Sequence, residues 1–167
     1  MTAVHSLGMF DGACGFARTE YDCLTMDEQH DERRWAPSPG ETPFEILGGE
    51  KVVRRIAHLF YEHMERAAPE VARMHRLDEN GKVHPESREN FASFLVFWLG
   101  GPVEYLHTRG HPRLRMRHAP FPIDEKARDG WLLSMKLALD EVGVHGEVRD
   151  YLDQRFATVA DALRNVG

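Results

Sequence analysis

A chain of 167 residues carries 21 Lys and Arg against 27 Asp and Glu, a net charge of -6, and 42% of its residues are hydrophobic. That length suits one main core, burying about 70% of the unfolded surface without help from disulfides or a structural metal, and the acidic balance argues against a protein devoted to nucleic acid or anionic membrane. Cys14 and Cys23 form no C-x-x-C pair, no apolar run approaches 18 residues, and no basic n-region precedes an apolar stretch, so the expectation is a soluble protein of a reducing cytoplasm with no membrane span.

Residues 1 to 40 differ from the rest. They hold seven acidic and three basic residues, Gly8, Gly12 and Gly15, and the breaker cluster Pro37-Ser38-Pro39-Gly40, with no sustained helical repeat. They read as a flexible N-terminal extension over 1–41, ahead of a globular domain at 42–167. From Thr42 on, helical signals follow one another and no segment alternates with period two, so the class is all-α. Val52, Val53, Ile56, Leu59, Phe60 and Met64 lie at helical spacing behind Gly48-Gly49, with Glu50 at the positive end of the helix dipole. Pro69 suits the first turn of a short helix reaching about Met74, and Asp78-Glu79-Asn80-Gly81 is a loop.

A second long helix should open at His84-Pro85, present Phe91, Phe94, Leu95 and Trp98 on one face, and stop at Gly100-Gly101-Pro102. Gly110 and Pro112 allow only short helical pieces between 103 and 118. Trp131, Met135, Ala138, Leu139 and Val142 mark the next helix from Asp124, and Val148, Leu152, Phe156, Val159, Leu163 and Val166 mark the last.

Ten histidines raise the question of metal. His107 and His111 are four apart, but Gly110 and Pro112 interrupt the helix that a zinc-protease pair needs, and Thr108 stands where the general base should be. His5, Cys14, Cys23 and His30 match no structural zinc spacing. Arg109, Arg113, Arg115 and Arg117 form a basic stretch without interleaved aromatics, better suited to ion pairs or one anionic ligand than to nucleic acid. Aromatics at helical spacing are ordinarily core. Here they accompany His118, which follows those guanidinium groups and leads into Ala119-Pro120-Phe121. An axial imidazole, an aromatic box and cations for two carboxylates are what an iron macrocycle requires.

The run Gly100-Gly101-Pro102, Tyr105, Gly110-His111-Pro112-Arg113-Leu114-Arg115-Met116-Arg117-His118-Ala119-Pro120-Phe121, then Arg128-Asp129 and Trp131-Leu132, resembles the group II truncated haemoglobins of the bacterial two-over-two globin type. The likeness spans 42–167, with Phe44, Gly48-Gly49 and Phe60-Tyr61, while residues 1–40 have no counterpart in it.

That resemblance implies a truncated globin sandwich of two helix pairs around haem b, with a nearly absent first helix and a proximal helix that is mostly loop. His118 takes the proximal-ligand position. Tyr61 and Trp131 take the distal positions that stabilise a bound ligand, His75 the position after the short second helix, and Phe91 and Phe94 line the pocket with Phe121. Asn90 stands where some relatives hold a propionate with a basic residue, so Arg113, Arg117 and Tyr105 are the propionate candidates. The implied ligands are dioxygen, carbon monoxide, nitric oxide or peroxide, bound tightly, with a reductase as partner for peroxidase-like or nitric oxide dioxygenase chemistry, in a monomer or homodimer. The alternatives are a haem-based sensor or partner-binding protein without turnover, and a haem-free helical interaction module.

Overall fold

The computed structural model describes residues 41–167, so the cysteines, His5, His30 and the reading of residues 1–40 lie outside the described residues. Eight helices follow within them: α1 Pro43–Ile46, α2 Glu50–Ala67, α3 Pro69–Ala72, α4 Pro85–Trp98, α5 Glu104–Arg109, α6 Leu114–His118, α7 Glu125–Val142 and α8 Glu147–Leu163. Among the described residues the sole extended pairing is one antiparallel bridge, Leu77 to Val83, so the all-α expectation holds. None of these helices is long and apolar enough to cross a membrane.

Local chemistry fixes the helix starts. Thr42 and Glu45 form a reciprocal capping box around Pro43: the Thr42 hydroxyl accepts from the Glu45 N–H, and the Glu45 carboxylate accepts from the Thr42 N–H at 2.9 Å. His84 Nδ1 caps α4 by accepting from the Glu86 N–H at 3.2 Å, and Asp124 caps α7 through the Ala127 N–H at 2.8 Å. The last helix ends at Leu163, so Val166 is not part of it; the chain turns extended at Arg164, and Val166 is 42% exposed.

The apolar stripe of α2, made by Val53, Ile56, Ala57, Phe60, Tyr61 and Met64, packs chiefly against α7 and α4, and α7 packs in turn on α8. Ile56, Phe60, Met64, Leu95, Met135, Leu139 and Leu152 are all essentially inaccessible, each stabilising the fold by about 1.5–3 kcal/mol relative to exposure. Two of the close approaches that demand glycine lie at helix junctions. A Cβ at Gly101 would lie 2.7 Å from both the Phe44 ring and the Val96 carbonyl oxygen, so the backbone after α4 can fold onto α1 only without a side chain. At Gly130 a Cβ would meet Ala68 at 2.9 Å and Val71 at 3.0 Å, so this glycine lets α7 cross the α2–α3 junction and brings the next residue, Trp131, to Phe60. Arg149 closes the turn between α7 and α8, donating to Asp140 at 2.6 Å, Asp153 at 2.8 Å and the Val144 carbonyl at 3.2 Å.

Candidate functional site

Three helices deliver aromatic rings to one cluster. Phe60 on α2 lies 4.9 Å from Phe91 on α4 and 5.1 Å from Trp131 on α7, ring centre to ring centre, and 5.0 Å from its neighbour Tyr61. Tyr61 meets Phe91 at 5.6 Å and, edge-on, the His75 ring at 5.3 Å and 86°. Phe94, one turn along α4 from Phe91, is 6.4 Å from it and 5.6 Å from Tyr105. Tyr105 is itself buried and stacks on Phe97 at 5.7 Å. Tyr61, His75, Phe91 and Trp131 are thus brought together, with Phe94 and Tyr105 continuing the same wall.

The polar atoms of this cluster are unequally occupied. Tyr61 is 4% exposed, and burial pushes its phenol above the ordinary tyrosine range, opposed only by the Arg88 charge, so it stays a protonated donor at neutral pH. Neither the Tyr61 hydroxyl nor the Trp131 Nε1–H has a hydrogen-bond acceptor among the described residues. No fully enclosed side-chain polar atom there lacks a partner, so both groups open onto reachable space. His75 differs: its Nδ1 lies 3.1 Å from the Val71 carbonyl oxygen. Burial lowers its pKa, a nearby His118 charge would lower it further, and the Val71 and Ala72 carbonyls oppose the shift, so the ring is neutral at pH 7.

His118 closes α6, where its Nδ1–H donates to the Leu114 carbonyl at 2.8 Å and leaves Nε2 without a partner among the described residues. This arrangement fixes the tautomer that a metal-ligating imidazole needs. Asn165 holds the turn after His118 from beyond α8: its amide donates to the Phe121 carbonyl at 2.9 Å and accepts from the Ile123 N–H at 2.9 Å. Phe121 is 40% exposed on that turn. Arg113 begins α6 with a left-handed backbone, φ 43°, and it is the one non-glycine residue with positive φ among those described. The Arg113 and Arg117 side chains are exposed and have no ion-pair partner among the described residues, which leaves them available to an anion. An imidazole with one free nitrogen, an aromatic wall, two unused donors and nearby guanidinium groups make a donor set that fits haem.

Reading the sequence missed two supports. Glu65 and Arg88, 23 residues apart, form a salt bridge with side chains only 8% and 16% exposed. The signal was a carboxylate one turn after Tyr61 on the apolar face of α2. Asn165 was the other, and nothing in its local sequence marks it. His107 and His111 are both exposed, with Gly110 ending α5 between them, and no group of three or more His, Cys, Asp or Glu gathers as a metal site among the described residues.

The family model for bacterial-like globins matches residues 42–165. A curated relative, the group 2 truncated hemoglobin YjbI of Bacillus subtilis, is 36% identical over 123 residues, covering 74% of this chain and 88% of that protein. Among solved structures, the hemoglobin of Chloroflexus aurantiacus aligns with 41% identity and a TM-score of 0.67 over 75% of this chain and 98% of its own. The truncated oxygen-avid haemoglobin of Bacillus subtilis aligns with 35% identity and a TM-score of 0.66 over 75% of this chain and 100% of its own.

Proposed function

Because the chain belongs to the bacterial-like globins and has the fold of the group II two-over-two haemoglobins, a haem protein that binds gaseous ligands, we propose that its domain 42–167 carries haem b on His118 and holds dioxygen tightly. The observation that carries this reading is the pair of unused donors, Tyr61 and Trp131, meeting in one aromatic cluster around Phe60. Haem, when bound, supplies the iron at which a diatomic ligand sits. His118 would hold it through Nε2, with Nδ1–H fixed on Leu114. Arg113, Arg117 and Tyr105 are the groups that would meet the propionates, and Phe91, Phe94 and Phe121 would exclude water from the ring.

Tyr61 and Trp131 would direct N–H and O–H dipoles at the ligand's distal atom. Dioxygen at reduced iron gathers negative charge and carbon monoxide gathers little, so preorganised donors favour the former. Slow release suits a redox role better than delivery. The reading therefore includes oxidation of nitric oxide to nitrate, each turn taking one nitric oxide, one dioxygen and one electron from a reductase. Mixing the oxygenated protein with nitric oxide should form one nitrate per haem within the mixing time, and a supplied reductase should make this catalytic. Recovery of free nitric oxide with no nitrate would rule the role out.

A further inference from the structure

The resemblance gives the donor role to Tyr61 and Trp131, and the structure sets His75 apart from both. The His75 Nδ1 lies 3.1 Å from the Val71 carbonyl oxygen, and a carbonyl can only accept, so the ring proton sits on Nδ1. A neutral imidazole has one such proton, and Nε2 is therefore a bare lone pair. Nothing among the described residues donates to it: Tyr61 stands edge-on with ring centres 5.3 Å apart and makes no hydrogen bond to it. Burial keeps the ring neutral, which preserves this state at pH 7.

We propose that His75 is the hydrogen-bond acceptor of the distal site and selects ligands that arrive carrying a proton, hydrogen peroxide foremost. This rests on the proposed function, since it needs haem beside the aromatic cluster. Dioxygen and carbon monoxide have no proton to offer His75 and depend on Tyr61 and Trp131. Hydrogen peroxide can use all three. As its first oxygen approaches the iron, that O–H bond breaks, the electron pair stays on oxygen, and the proton bonds to Nε2 and turns His75 into an imidazolium. The new N–H is then a donor, so the residue that took the proton can return it to the outer oxygen. Val71 is the positioning partner, because its carbonyl fixes the tautomer.

The test compares the parent with His75→Phe and His75→Tyr, which keep an aromatic ring against Tyr61. Carbon monoxide on the reduced holoprotein reports local polarity, because a donor lowers the C–O stretching frequency and a facing lone pair raises it. The frequency should fall in His75→Phe and fall further in His75→Tyr. Hydrogen cyanide gives a second reading on the oxidised protein: its proton goes to Nε2 as carbon takes the iron, and His75→Phe should slow association by about 10- to 100-fold. A frequency that rises in His75→Phe would show that His75 donates, and a frequency and cyanide rate both unchanged would show that it does not face the ligand; either overturns the proposal while leaving the haem reading intact. A parent that takes up no haem overturns the proposed function, and this inference with it.

Discussion

Replacing Tyr61 by Phe should raise the dioxygen dissociation rate of the reduced holoprotein by about 10- to 100-fold, because a hydrogen bond to a charged acceptor is worth roughly 1.5–3 kcal/mol and each 1.4 kcal/mol is about tenfold. The substitution keeps the ring that packs on Phe60 at 5.0 Å and on Phe91 at 5.6 Å, so the change reads the hydroxyl alone. Trp131→Phe should act in the same direction. Its indole also packs on Phe156 at 5.8 Å, so part of its effect will be steric. Carbon monoxide release should change much less in both variants, since that ligand draws little on the donors. Stopped-flow displacement of dioxygen by carbon monoxide measures these rates, and parental values in both variants would remove the donors from the account.

The second large effect is on stability. Glu65→Ala should cost about 3–5 kcal/mol in urea unfolding, the range expected when one partner of a buried ion pair is removed. The carboxylate accepts from Arg88 and, at 2.7 Å, from the Val83 N–H, while Arg88 Nε donates to the Val83 carbonyl at 3.0 Å. Glu65 and Arg88 together thus satisfy both backbone groups of a fully buried residue at the entry to α4. Losing the carboxylate leaves the guanidinium without its counter-charge and the Val83 N–H without an acceptor at a largely buried site. The double variant Glu65→Ala with Arg88→Met should be less destabilised than Glu65→Ala alone, because it removes the stranded charge. Arg88 also lies over the Tyr61 ring, 5.5 Å from its centre, so this pair supports the distal wall as well as α4. Equal stability of Glu65→Ala and the parent would show that the pair holds nothing.

The long helices were legible because their apolar residues repeat every three or four positions and their ends carry Pro, Gly or a capping side chain. α1 was not, although Thr42 and Glu45 show the capping-box spacing; four residues are too few for a period. Val166 fits the spacing of α8 but lies outside it, because Asn165 breaks the helix to bind Ile123: its N–H donates to the Ile123 carbonyl at 3.1 Å. Periodicity cannot register such a bond across 42 residues of sequence.

At the site, the resemblance to the group II truncated haemoglobins singled out His118, Tyr61 and Trp131, and the structure adds how His118 is held and what surrounds the other two. The Nδ1 bonds of His75 and His118 each reach a carbonyl four residues back, so the spacing was present in the sequence all along. Sequence alone does not reveal that a ring will turn back to its own backbone. Glu65 and Arg88 stayed hidden for another reason, since pairing between α2 and α4 is decided by how the two helices pack.

The visible absorption spectrum of the purified, haem-supplemented protein, oxidised, reduced with dithionite and exposed to carbon monoxide, tests the central claim most directly when His118→Gly is carried alongside. The parent should show a Soret band that shifts at each step, and the variant should lose or alter it and recover on addition of free imidazole, which can occupy the space left by the side chain. A parent without a Soret band, or a variant with a spectrum identical to the parent's in all three states, would contradict haem ligation by His118.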